Sequence, residues 1–289
     1  MRMKKGILFL SMIAWLWAGM GCSSDEEVPE ISKEPARPTM NVQDSLVMVA
    51  YYHSMKCAEW KEPYHWDITD YTTWGDVTAA LDTEKNEYRI TQIRVTRPDL
   101  MPAGYSLPPE LGNLPYLTWL EVTGDERATG GIPKEIFNCP LELLYITGKG
   151  FGGEIPKEIG KVADTMKWLY ITGTSFNKLP EEIGLLRNLG HQAYLVGNNF
   201  SGTPPLSLRD LPDHANLTYN NYTEMDWRFY TEGKGFIPNF DKNCLSGEIP
   251  EEVFETKFWD IYKLQIRNQR EGYGFSNYPY DEIYNGLNF

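Results

Sequence analysis

One phrase limits what this chain can fold into more than any other feature. Ile132-Pro133-Lys134-Glu135-Ile136 returns as Ile155-Pro156-Lys157-Glu158-Ile159, as Leu179-Pro180-Glu181-Glu182-Ile183 and as Ile249-Pro250-Glu251-Glu252-Val253. A looser early copy is Leu107-Pro108-Pro109-Glu110-Leu111. Between the copies runs a second phrase, Leu141-x-x-Leu144-x-Ile146, repeated at Leu117-x-x-Leu120-x-Val122 and Met166-x-x-Leu169-x-Ile171. The spacing is in the low-to-mid twenties throughout, the mark of a stacked-repeat architecture. Alternation makes each second phrase a short strand with its apolar residues inward and the residues between them outward. One unit cannot bury its own apolar side. Stacked units set their strands in parallel and share a continuous core.

The slot three residues after the last apolar position holds Lys149, Thr174, Asn198, Asn220, Asn243 and Gln269. An asparagine there can bond backbone across neighbouring turns, so the ladder is broken in the early units and something else must satisfy those groups. About eight units are expected over 90–270, with strand centres near Arg94, Glu121, Tyr145, Tyr170, Tyr194, Thr218, Asp241 and Gln265. The unit at 212–240 is degenerate, and Gly233-Lys234-Gly235 suggests a loop excursion. Asn243-Cys244-Leu245-Ser246-Gly247-Glu248-Ile249-Pro250 matches N-x-L-x-G-x-I-P at every defined position. This pattern resembles the plant-type leucine-rich repeat. The resemblance implies an α/β fold: a right-handed solenoid with a parallel β-sheet on its concave face and a helical, aromatic N-terminal cap. Residues 42–89 look like that cap. Asp44 is expected to N-cap its helix, and Trp60, Trp66 and Trp74 to shield the first repeat by aromatic packing. The plant cap carries a cysteine pair, whereas only Cys57 stands here. Residues 271–289, rich in Tyr, Asn and Gly, are expected to close the other end.

The N-terminus reads as an address. Residues 1–21 carry Arg2, Lys4 and Lys5, then an apolar run from Gly6 to Met20, and no acid. That describes a secretory signal too short for a comfortable transmembrane span. Gly21-Cys22 resembles a bacterial lipoprotein cleavage site, which implies lipidation of Cys22, although Gly19 departs from the usual leucine. Ser23-Ser24-Asp25-Glu26-Glu27 is similar to the acidic export signal of Bacteroidetes surface lipoproteins. The chain is therefore expected on the outer membrane, lipid-anchored and facing outward, touching the membrane only through the anchor. Residues 22–41, with Pro29, Pro35 and Pro38 among charges, read as a disordered tether.

The formal charge is −13, and removing residues 1–21 leaves 24 basic against 40 acidic residues, or −16. Such a surface repels phosphate backbones, so nucleic acid is excluded as a partner. Cys57, Cys139 and Cys244 lack metal-site spacing, and Cys139 and Cys244 are expected as small buried hydrophobes. His53, His65, His191 and His214 are scattered, and no nucleotide, metalloprotease or serine-hydrolase motif appears. A non-enzyme without cofactor or metal is expected.

The outward rows carry the functional reading. One row reads Arg94, Glu121, Tyr145, Tyr170, Tyr194, Thr218, Asp241 and Gln265. The row two residues earlier reads Gln92, Trp119, Leu143, Trp168, Gln192, Asn216, Asn239 and Lys263. A third row opens with Thr96, Thr123, Thr147 and Thr172. Parallel strands lie about 4.8 Å apart, so Tyr145, Tyr170 and Tyr194 should form one stripe flanked by Trp119 and Trp168. Exposed aromatics of this kind supply stiff contact area and dominate interface hot spots. The candidate ligand-binding residues are Trp119, Glu121, Tyr145, Trp168, Tyr170 and Tyr194. The expected partner is a protein or peptide. A glycan, or a structural role in an envelope complex, is the competing reading.

Overall fold

The computed structural model describes residues 37–61, 66–70 and 73–280. The expected signal segment, Cys22, nearly all of the tether, His65 and residues 281–289 lie outside the described residues. In chain order the strands are β1 (Thr39–Met40), β2 (Val77–Asp82), β3 (Glu87–Val95), β4 (Trp119–Thr123), β5 (Leu143–Thr147) and β6 (Gly152–Glu154). They continue as β7 (Trp168–Thr172), β8 (Ser175–Lys178), β9 (Ser201–Gly202), β10 (Asn221–Tyr222), β11 (Ser246–Gly247) and β12 (Gly274–Phe275). The helices are α1 (Val42–Ser54), α2 (Arg228–Thr231), α3 (Glu251–Phe254) and α4 (Lys257–Tyr262).

Strands β3, β4, β5 and β7 lie side by side and parallel, with Gln92, Trp119, Leu143 and Trp168 opposite one another in turn. Leu120, Val122, Leu144, Ile146, Leu169 and Ile171 are buried, as the alternation requires. The proline phrases that follow form short 3-10 turns, Lys134–Asn138, Lys157–Val162 and Glu181–Leu185, each burying its isoleucine. Proline fixes φ and lacks an N–H at the entry, where a helix has no partner for one. From β5 onward the chain also adds short outer pairings, β6 with β8, β9 with β10 and β11 with β12. The architecture is a leucine-rich-repeat solenoid.

After β7 the concave ladder thins to single parallel bridges, Tyr170 with Tyr194, Tyr194 with Asn216 and Asn216 with Asn239. This corrects the expected register: Asn216 and Asn239 continue the tyrosine row, in place of Thr218 and Asp241. A slip of two keeps every side chain on its own face, so alternation cannot detect it, whereas a slip of one would invert the faces. The asparagine slot does fix the phase, since 198 − 194, 220 − 216 and 243 − 239 all equal four. The expected last strand at Gln265 is likewise a 3-10 turn, Lys263–Ile266. Thr256 caps α4 through its side chain, and α4 runs directly into that turn, so the backbone arrives coiled. The expected loop excursion contains α2.

The repeats satisfy their buried carbonyls in two ways. Late in the array Asn220 Nδ2 donates to Leu195 O (2.8 Å) and Leu217 O (2.9 Å), while its Oδ1 accepts from Phe200 N (3.3 Å). Asn243 does the same with Leu217 O, Phe240 O and Tyr222 N. Gln269, one methylene longer, repeats the pattern on Phe240 O, Ile266 O and Leu245 N. Early in the array the substitute is glycine. Gly124 N donates to Thr147 O (2.8 Å) and Gly150 N to Asp125 O (2.9 Å). A Cβ on Gly148 would lie 2.3 Å from Gly124 C, and Gly148 has φ +113°. A Cβ on Gly150 would lie 2.2 Å from Ala128 O. The turns touch backbone to backbone, and direct bonds replace the asparagine.

At the N-terminal end the cap helix starts one turn earlier than expected. Asn41, not Asp44, is the N-cap of α1, its side chain accepting from Asp44 N at 3.1 Å. Asp44 is instead fully buried. It accepts from Arg89 Nε (3.1 Å), Arg89 Nη2 (2.9 Å) and Ile90 N (2.8 Å), tying α1 to β3. The folded part begins within the expected tether, because Thr39 and Met40 pair in parallel with Glu87 and Tyr88. Strand β2 runs antiparallel along β3. Trp66 stacks on Tyr51 (5.6 Å between centroids) and Trp74 (5.8 Å) and meets Trp60 at 5.6 Å. Cys57 is free and buried beside them, as are Cys139 and Cys244. At the far end Phe275 and Tyr278 are buried, and Tyr278 Oη donates to Lys263 O at 2.9 Å.

Candidate functional site: a concave aromatic face

The strands bring all six candidate residues onto one face. Pairing sets Glu121, Tyr145 and Tyr170 in one row and Trp119, Leu143 and Trp168 in the next, and a bridge adds Tyr194 to the first. Tyr145 and Tyr170 lie 5.7 Å apart, tilted by 43°; Tyr170 and Tyr194 stack at 5.1 Å and 12°. Trp119 and Trp168 reach across the intervening repeat to 6.2 Å, and Leu143 between them is buried. Tyr194, at 36% exposure, is the most open of the tyrosines, and the other four aromatics are half-buried. Thr123, Thr147 and Thr172 are in register beside them, whereas Thr96 falls just past the end of β3.

Glu121 differs from the aromatics. Its Oε2 accepts from Arg94 Nε (2.9 Å) and Trp119 Nε1 (3.4 Å), and the Arg94 guanidinium lies 5.2 Å from the Trp119 ring. The carboxylate is engaged inside the protein. Its contacts tie it to Arg94 and Trp119 at the N-terminal end of the face, with the side chain still 18% exposed.

At the other end of the face the expected side is right and the row is not. Asn216 and Asn239 stand in the tyrosine row, one and two positions beyond Tyr194. The fixed distance from the asparagine slot was the signal that could have placed them. Beyond the Arg94–Glu121 pair the face offers ring carbons, hydroxyls and amides, a surface of contact and neutral hydrogen bonding. Among the described residues no group of three or more His, Cys, Asp or Glu could hold a metal ion. A cavity of about 670 Å³ opens elsewhere, between Pro180, Glu181, Thr203, Pro204 and Arg228. It lies where Pro204 replaces the isoleucine of the repeated phrase, and none of the six candidates lines it.

No protein-family model and no curated protein matches the sequence. Solved structures do. The chain resembles the leucine-rich-repeat ectodomain of the Arabidopsis thaliana receptor kinase GASSHO1/SCHENGEN3, solved in complex with CASPARIAN STRIP INTEGRITY FACTOR 2, with TM-score 0.59 and 22% identity. That likeness covers 74% of this chain and 26% of the receptor chain. A plant ice-binding protein gives 0.54 and 20%, over 73% of this chain and 66% of the other. PEPR1 with AtPEP1 gives 0.50 and 21%, over 74% and 30%. The chain thus spans only about a quarter of the first receptor's length. At these identities the likeness establishes the fold, a solenoid of the kind found in plant leucine-rich-repeat ectodomains.

Proposed function

We propose that this protein is a non-catalytic binding module that takes a protein or peptide on its concave face. The carrying observation is the column Tyr145, Tyr170 and Tyr194, in register, half-buried to exposed, beside Trp119 and Trp168. Aromatic surface of this extent, held stiff by a sheet, gives contact area at little cost in side-chain entropy. Two of the similar solved structures, the GASSHO1/SCHENGEN3 ectodomain and PEPR1, hold a second molecule, which supports the reading. In the same reading Cys22 carries a lipid that anchors the module to the exterior of the outer membrane.

The test pans a displayed random peptide library and a glycan array against the protein and against Tyr145→Ala/Tyr170→Ala/Tyr194→Ala. Peptides should enrich on the natural protein and bind the triple variant at least about tenfold more weakly, the loss expected from removing hot-spot aromatics. A folded triple variant that binds at full strength overturns the assignment, and so does binding confined to glycans. For the anchor, Cys22→Ala should abolish labelling by an alkyne fatty acid and release the protein from membranes. Labelling that persists in this variant refutes it.

A further inference from the structure

The corrected register sets two asparagines, Asn216 and Asn239, against the open end of the tyrosine column. We propose that they form a main-chain clamp: their Nδ2 groups donate to carbonyl oxygens of a bound peptide, one of whose side chains packs on Tyr194. The inference rests on the peptide reading above.

The first argument is the state of the amides. Asn216 Oδ1 accepts from Thr218 N at 3.1 Å, and Asn239 Oδ1 accepts from Asp241 N at 3.0 Å. A backbone N–H can meet only the oxygen, so the atom left over in each amide is the NH₂ group. Neither Nδ2 bonds any described residue, and both side chains are half-buried. The ladder asparagines differ, since Asn220 and Asn243 are fully buried and use both ends of the amide. Asn216 and Asn239 are therefore held in place by their own backbone with a donor left over. Their positions are bridge partners, so the two donors stand roughly one strand spacing apart, about 4.8 Å. Donors fixed before binding lose little freedom on binding.

The second argument is shape. Tyr170 covers one face of Tyr194, at 5.1 Å and 12°. The position on the other side is Asn216, a shorter side chain, so the aromatic column ends in a step with a ring as its wall and amides as its floor.

The third argument is charge and proton count. The chain carries a formal −13, which disfavours carboxylate or phosphate as the acceptor. A sugar hydroxyl can accept from the same Nδ2 groups, so the oligosaccharide arm of the test below separates sugar from peptide. A peptide carbonyl is neutral and accepts only, which matches what the floor offers.

The probe is the set of peptides enriched from a random dodecapeptide library. Their affinity is measured on the natural protein, on Asn216→Asp/Asn239→Asp and on Asn216→Ala/Asn239→Ala. The aspartates keep an oxygen for Thr218 N and Asp241 N and replace each donor by an acceptor. The alanines remove the donor without adding charge, and a melting curve reports their fold. Losing two hydrogen bonds should weaken binding about tenfold or more in both variants. If peptides enrich but bind both variants as tightly as the natural protein, the clamp is wrong and the peptide reading stands. If no peptide enriches, or only oligosaccharides bind, both fall.

Discussion

Single side chains decide two matters here, one of them unfavourable to stability. Tyr222 is 1% exposed, packed between Phe200 and Phe240, and its hydroxyl has no partner among the described residues. Burial alone pushes that phenol far above its usual range. An unpartnered buried hydroxyl costs roughly 1–3 kcal/mol, so Tyr222→Phe should leave the thermal midpoint unchanged or raise it. A fall of several degrees would mean the hydroxyl is satisfied after all. Asp44 is the opposite case. Asp44→Ala leaves Arg89, 7% exposed, with only the longer Glu87 contact at 3.4 Å and removes the acceptor of Ile90 N. A broken buried pair costs on the order of 3–5 kcal/mol, and the remaining Glu87 puts this variant toward the lower end. A urea titration in which this variant matches the natural protein would refute that account. Asp44 also shows a limit of sequence reading. Its type and place suit an N-cap, and only the position of Arg89, 45 residues away, reveals that it is a buried counter-ion. The aromatic column, by contrast, was legible residue by residue, because strand alternation and a repeat period fix which side chains share a face.

Elements in this molecule are held together by whatever the next turn presents. The repeated phrases made the four central strands legible. The late ladder was harder, because a two-residue slip is silent to hydrophobic alternation. The asparagine spacing could have resolved it. How the early repeats manage without asparagine was not legible, since close backbone approach shows only in three dimensions. It makes a specific expectation. Gly148→Ala meets both a positive φ and a 2.3 Å approach to Gly124 C, and should cost at least about 1–3 kcal/mol, the scale of a strained backbone position. Gly153→Ala, with φ +96° and open space around its Cβ, should cost less. Equal losses in calorimetry would show that strain alone, and not the packed turn, sets the value.

Two surface ion pairs give the whole molecule part of its acid sensitivity. Asp125 is held below the usual carboxylate range by the Arg127 guanidinium, and Asp226 by that of Arg228. A depressed folded-state value contributes stability above the unfolded value, near 4, that is lost as pH falls through the folded one. These two pairs should therefore lower urea midpoints below about pH 4, gently, because both are solvent-accessible. Asp76, raised by burial, works in the opposite sense and gains stability as pH falls. A decline that begins near pH 6 would point to another group. A second gradient runs along the axis. At the N-terminal end β3 is bonded on both sides, to β2 and to β1 and β4. Toward the C-terminal end the concave ladder is reduced to isolated bridges. A stack of this kind opens unit by unit, so amide exchange should be slowest in β3 to β7 and fastest beyond Asn239. Uniform protection would contradict it. The position of β1 gives this asymmetry a mechanical meaning. A pull from the N-terminal side of the chain reaches β1 first, where β3 is bonded on both edges, and should meet the sparsely bridged C-terminal repeats last.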